Sequence, residues 1–251
     1  MTKTKLALKI AYLYPRSMNI YGDRGNIIAL AKRCEWHGIS TTVKEIEIGE
    51  VFEPTGFDLV FAGGGQDRSQ LEVAKDLQKK KTSLKEAVEN SKVFILICGT
   101  YQLFGHYFKT SENIKILGVS ILDLVTIAST KRKIGNVVIK PNLSLNHNLK
   151  TLVGFENHSG NTFVTKNSQT KPLGEVVKGF GNNGEDKTEG AFYKNCFGTY
   201  LHGSLLPKNP HFADFLITKA LETKYKEFVP LPVLEDALEQ EAHEFVLKNR
   251  G

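Results

Sequence analysis

Two short apolar runs limit what this chain can become. "FDLVFAGGGQ" at 57–66 and "KVFILICGT" at 92–100 each drive a handful of large apolar residues straight into glycine. Each is followed by a stretch of helical period, lysine-rich at 68–90 and short after Cys98. Runs this short, bounded by glycine, read as strands buried on both faces, which is the condition of a parallel sheet covered by helices. The neighbouring segments keep the alternation. Residues 6–14 read as a strand, 25–37 as a helix closed by Gly38, and 41–48 ("TTVKEIEI") as a strand. Strands alternating with helices predict βαβ units and an α/β fold, a mostly parallel open sheet flanked by helices. Beyond about residue 108 the texture changes to shorter β pieces at 121–129, 134–140, 152–157, 162–166 and 174–179. "AFYKNCFGTYLHG" reads as one further strand, 210–223 as a helix, and 233–248 as a helix after the breaker "PLP". Neither a repeat nor a linker divides the chain. The expectation is a single domain over 1–251 with β-rich additions in its second half and a C-terminal helical extension at about 230–251.

Composition removes several classes. With 251 residues, 24% charged and 41% hydrophobic, the chain has the balance of a soluble globular protein with a substantial core. No apolar run approaches the roughly 18 residues a membrane helix needs. The opening "MTKTKLALKIAYLYPRS" places two lysines before an apolar run, but Lys9 interrupts it and no small-residue cleavage site follows. It reads as a first strand, and the protein is expected in the cytoplasm. Cys34, Cys98 and Cys196 form neither a close pair nor a zinc spacing, so reduced thiols and no metal site are expected. The net charge of +6 includes the run Lys79–Lys81, read as a solvated helix face. A nucleic-acid surface would need a denser basic stripe with interleaved aromatics, and none is present.

Chemistry concentrates where the strands end. In an open parallel sheet, ligands gather at the carboxyl ends of the strands, so the glycine loop and Cys98 should share one rim. A cysteine on a tight strand-to-helix turn presents its sulfur above the sheet, as the serine of a nucleophile elbow does. The helix N-terminus there favours thiolate, and N–H groups near Gly99 can hold an oxyanion. Of seven histidines, His202 has the most telling setting, an apolar run ending in His-Gly within "GTYLHG". His158 in "GFENHSG" ranks second. His106 is placed on the outward face of the helix after Cys98, and His37 at a helix end suits a structural role. A buried cysteine or a glycine cluster alone is usually packing or a turn; strand–GGG, strand–Cys-Gly and strand–His-Gly together point to a thiol and its proton-transfer partner. Cys34 and Cys196 read as inert.

Taken together, "AGGGQD" at 62–67, "ICGTYQLFG" around Cys98, "GFENHSG" at 154–160 and "GTYLHG" at 198–203 resemble the class I, triad-type glutamine amidotransferases, in the branch similar to cobyric acid synthase. The segment "YPRSMNIYGDRGNIIALAKRCEWHGI" and the later "LHGSLLPKNP" are more specifically similar to the glutaminase subunits of bacterial lipid II isoglutaminyl synthase. The resemblance spans about residues 8–220 and implies a flavodoxin-like fold. It implies that Cys98 attacks the glutamine carboxamide and that His202 serves as base and then acid. It also implies that backbone N–H groups of the Gly63–Gly65 loop, Gly64 and Gly65 above all, and of Gly99 hold the oxyanion. Arg132, in "TKRKIGN", falls on the arginine implicated in substrate binding.

The implied partner is a MurT-like subunit of the Mur-ligase family, forming a heterodimer. It would bind ATP and Mg, receive ammonia, and amidate the D-glutamate α-carboxylate of lipid II at the inner face of the membrane. This chain carries no G-x-x-x-x-G-K-[ST] loop, so no cofactor is expected in it. Two positions depart from the family pattern. Ser204 stands two residues after the histidine, where many relatives place a glutamate, which leaves the third member of the triad open; Glu156 is a nearby motif carboxylate. Thr100 replaces a second glycine after the cysteine. Rival readings are an amidotransferase with another carboxylate acceptor, such as a corrinoid, a stand-alone cysteine hydrolase, and a non-enzymatic scaffold.

Overall fold

The two glycine-terminated runs are neighbours. In the computed structural model, which describes residues 5–20, 22–65, 67–145 and 150–248, β3 (Leu59–Ala62) and β4 (Val93–Ile97) pair in parallel, Leu59 opposite Val93. On one side β3 pairs with β1 (Ala7–Leu13), and β1 with β2 (Ser40–Ile46), both parallel. On the other side β4 pairs in parallel with β12 (Cys196–Thr199), which β11 (Ala191–Tyr193) closes as an antiparallel edge. Every residue of β3 and β4 is buried, as both-face burial requires. The helices are α1 (Arg24–Trp36), α2 (Asp67–Glu89), α3 (Gly99–Phe104), α4 (Pro210–Tyr225) and α5 (Ala237–Lys248). The α/β architecture expected for residues up to 108 is therefore present, with boundaries within a few residues.

The second half departs from the expected short pieces. β7 runs unbroken from Leu124 to Pro141 and β8 from Leu152 to Val164, pairing antiparallel as one long ribbon. Polar residues such as Ser159 and Asn161, between the expected pieces, look like loop in sequence, but in a ribbon with one covered face they occupy alternate, outward positions. The register slips between Ala128 and Lys133, where the ribbon bulges. β9 (Gly174–Lys178), β10 (Thr188–Glu189), β5 (Tyr107–Lys109) and β6 (Lys115–Leu117) complete this second sheet. The expected single strand at 191–203 is a tight hairpin, because Lys194 takes a positive φ of 51° and reverses the chain.

One contiguous core joins the sheets, from Leu8 and Ile10 of β1 through Phe94 of β4 to Val137 and Leu152 of the ribbon. The ribbon also meets the chain beyond β12, since Phe155 and His202 exchange backbone hydrogen bonds at 3.1 and 2.9 Å. The C-terminal helix packs rather than projects. His243 is buried and bonds Lys208 O and Thr151 Oγ1, and Val246 joins Val138 and Val153. Asp236, ahead of α5, shares the buried Arg33 guanidinium with Asp214 of α4. Among the described residues no helix is long and apolar enough to cross a membrane. His147 lies outside the described residues.

Candidate active site

Strand β4 delivers Cys98 onto a sharp turn. Its φ of 51° and ψ of −101° fall outside the conformations a non-glycine residue adopts freely, and strain of this kind costs on the order of 1–3 kcal/mol. The turn is over-determined. Cys98 N–H donates to Thr199 O of the adjacent strand at 2.8 Å, and Gln102 N–H returns to Cys98 O at 3.0 Å as α3 begins. Thr100, the departure from a second glycine, is used here: its buried hydroxyl donates to Ala62 O at 2.8 Å, tying α3 to the glycine loop. Cys98 retains 6% of its accessible surface.

His202 reaches the thiol from the extended segment just after β12. A Cβ placed on Gly64 would lie 2.8 Å from His202 Cε1 and 3.2 Å from Cys98 Cβ, so glycine at 64 is what lets imidazole and thiol close over the loop. His202 is fully buried, yet its pKa rises to about 10. Burial pulls it down, but the charge of Cys98, the hydrogen bond donated to Asp23, the hydrogen bond with Cys98 and the charge of Asp23 overcome that pull. The environment of Cys98 and Asp23 thus favours the protonated imidazole.

Asp23 is the residue the sequence did not disclose. Its Oδ1 accepts from His202 Nδ1 at 3.2 Å and its Oδ2 accepts from Gly64 N–H at 2.7 Å, with the carboxylate fully buried. In sequence it looks like an ordinary helix N-cap before α1, where aspartate is common. In the structure it makes no side-chain capping bond at all. The cap position instead aims the carboxylate at the histidine. Cysteine, imidazole and carboxylate therefore form a contiguous line, with the carboxylate drawn from the loop before α1.

Residues 9–210 match the family of CobB/CobQ-like glutamine amidotransferase domains. The chain belongs to that family. It is 41% identical over 241 residues to the lipid II isoglutaminyl synthase (glutamine-hydrolyzing) subunit GatD of Streptococcus pneumoniae, covering 94% of this chain and 89% of that one. It is 41% identical over 230 residues to the subunit of the same name from Staphylococcus aureus, covering 92% and 91%. A probable cobyric acid synthase of Methanococcus maripaludis is 32% identical over 68% of this chain but only 34% of its own length. Among solved structures, a glutamine amidotransferase from Thermotoga maritima superposes with a TM-score of 0.54 at 14% identity, covering 95% and 93%. The glutaminase domain of Trypanosoma brucei CTPS with bound acivicin gives 0.51 at 10%, covering 90% and 96%. Both share the fold expected from the sequence.

Within this amidotransferase frame the other expected residues sort clearly. Gly64 N–H is committed to Asp23, which corrects its expected place among the oxyanion donors: the peptide positions the carboxylate. Gly65 and Gly99 remain on the rim, where the Met18 thioether packs closely against both. Arg132 stands on β7 at the ribbon's bulge, exposed, its Nε donating to Asn157 Oδ1 at 2.6 Å. Glu156 does not orient His202; its buried carboxylate accepts from Phe180 and Gly181 N–H at 2.6 and 2.9 Å. His158 is stacked flat on Tyr200, ring centroids 3.6 Å apart, and burial holds its pKa below the ordinary value against the pull of Glu156. The two motif histidines thus differ: one has its pKa raised beside a thiol, the other has it lowered beneath an aromatic ring. His106 follows α3 instead of lying on it and pairs with Asp123 at 2.9 Å; His37 pairs with Asp214 at 3.0 Å. Cys34, its thiol pushed up by burial to about 12, and Cys196, pushed still further, are buried in the core.

Proposed function

We propose that this chain is the glutaminase subunit of a lipid II isoglutaminyl synthase. The observation that carries the reading is 41% identity extending over about nine-tenths of both this chain and the two named subunits. The Cys98–His202–Asp23 line supports the chemistry. In it, the Cys98 thiolate adds to the side-chain carboxamide of L-glutamine, and N–H groups at Gly65 and Gly99 receive the developing oxyanion. His202, held in orientation by Asp23, protonates the departing ammonia. It then takes a proton from the water that hydrolyses the glutamyl thioester. Arg132 is suited to hold the substrate α-carboxylate through two parallel hydrogen bonds.

Ammonia released into water becomes ammonium and is lost as a nucleophile, so a synthase subunit must cover this rim. The reading assigns that role to a MurT-like subunit of the Mur-ligase family, in a heterodimer. ATP and Mg belong to that partner, where they activate the D-glutamate α-carboxylate of lipid II, and the lipid-linked acceptor draws the cytoplasmic complex to the inner membrane face. The test is reconstitution: this chain plus such a partner should amidate lipid II in an ATP- and glutamine-dependent reaction, and Cys98→Ala should abolish glutamine-dependent but not ammonia-dependent amidation. Glutamine hydrolysis coupled instead to a corrinoid carboxylate, or hydrolysis that no partner alters, would sink the assignment of the acceptor.

A further inference from the structure

Ser204 occupies the place two residues after the imidazole, yet it faces a different task from a triad carboxylate. We propose that Ser204 is a positioning residue for Asp23, its hydroxyl fastening the Gly22–Asn26 turn to the segment that carries His202. The proposal rests on the reading of Asp23 as the group that orients His202.

The contacts are specific. Ser204 Oγ donates to Gly22 O at 2.6 Å, one residue ahead of Asp23. Leu206 N–H donates to the buried Asn26 Oδ1 at 2.8 Å, three residues beyond it. The two ties bracket the Asp23–His202 bond. Between them lies Gly25: a Cβ there would come within 2.1 Å of Ser204 Oγ and 2.9 Å of its Cβ, so the hydroxyl nests where any side chain would stand. Ser204 itself holds a left-handed φ of 50°, which turns the hydroxyl back toward the turn.

The ties matter because the bond they bracket is near its limit. At 3.2 Å, the Asp23–His202 contact stands at the long end of effective N–H···O geometry, so a few tenths of an ångström of drift in the turn weakens it. Apart from the Gly64 N–H on its other oxygen, the Asp23 carboxylate has no tie to its own helix, because it makes no capping bond there. A carboxylate borrowed from a separate chain segment needs a fastener that a carboxylate on the histidine's own strand would not. Ser204 supplies it from the vacated position.

A double-mutant cycle tests this in the full chain together with its synthase subunit, reading glutamate release from glutamine. Ser204→Ala is expected to lower kcat about three- to ten-fold, the weight of one hydrogen bond, with KM for glutamine within two-fold. Ser204→Gly, which removes the hydroxyl without straining the left-handed φ, should do the same. So should Gly25→Ala, which fills the hydroxyl's niche. In an Asp23→Asn background, removing the hydroxyl should cost less than two-fold further, because the group through which it acts is already gone. A loss that persists undiminished in that background overturns the proposal, as does a Ser204→Gly enzyme with parental kcat. If Asp23→Asn alone leaves kcat unchanged, the reading of Asp23 itself falls, an outcome separate from the other two.

Discussion

Replacing Asp23 by asparagine keeps the shape and removes one charge. The imidazole of His202 is raised from 6.5 to about 10. At about 1.4 kcal/mol per pH unit, this is on the order of 5 kcal/mol of preference for the imidazolium. Cys98 supplies the leading favourable part and Asp23 the next. Assigning the carboxylate on the order of 2 kcal/mol of that preference gives a loss of about 30-fold. Asparagine does further harm. Gly64 N–H lies 2.7 Å from Oδ2, closer than the 3.2 Å to His202, so the amide oxygen will take that donor and its NH2 will face Nδ1. Nδ1 must then carry a lone pair, and the neutral imidazole has its proton on the wrong nitrogen. In triad hydrolases such a reversal lowers kcat by about 10⁴. Asp23→Asn is therefore expected to lose between about 10² and 10⁴ in kcat for glutamine hydrolysis, and Asp23→Ala less, because alanine imposes no inverted donor. Steady-state glutamate release at saturating glutamine reads both. Parental activity within three-fold in Asp23→Asn, or alanine more damaging than asparagine, refutes the reasoning.

Other consequences follow from the same geometry. Burial raises the Glu189 carboxyl to about 7, against hydrogen bonds from Thr199 Oγ1 and Tyr200 N–H. The folded state then keeps a proton that the unfolded chain releases from about pH 4.5, so stability falls as pH rises toward 7 and levels off above it. Glu189→Gln should remove that fall, on the order of 1–3 kcal/mol between pH 5 and 8 by urea denaturation. An unchanged slope refutes the assignment. Gly64→Ala drives a methyl group into His202 Cε1 and should cut kcat at least about ten-fold while destabilising the fold by only about 1–3 kcal/mol, checked by activity beside thermal melting. Arg132→Ala should raise KM for glutamine by about 10- to 100-fold with kcat within about three-fold; an effect confined to kcat would remove Arg132 from carboxylate binding.

The parallel sheet was legible because its cause is local. Short runs such as "VFILI" are apolar on both faces, and glycine ends them, so strand, burial and turn are all written within a few residues. Cys98 and His202 were legible for the same reason, each lying at the end of such a run. The pieces of β7 and β8 were legible as β, but their continuity was not, because the polar stretches 130–133 and 158–161 between them mimic loops until a partner strand supplies their backbone bonds. Asp23 was hidden more deeply: 179 residues separate it from His202, and nothing beside it differs from a common helix cap.

Sequence alone settled which chemical groups this protein owns and on which kind of sheet they stand, since periodicity and turn-formers act over a handful of neighbours. Which carboxylate meets the imidazole, that Gly64 spends its N–H on that carboxylate, and that one motif histidine has its pKa raised while the other has it lowered were decided only by tertiary structure. Each of these depends on burial and on charges brought together from distant segments, and both arise only once the chain has closed on itself.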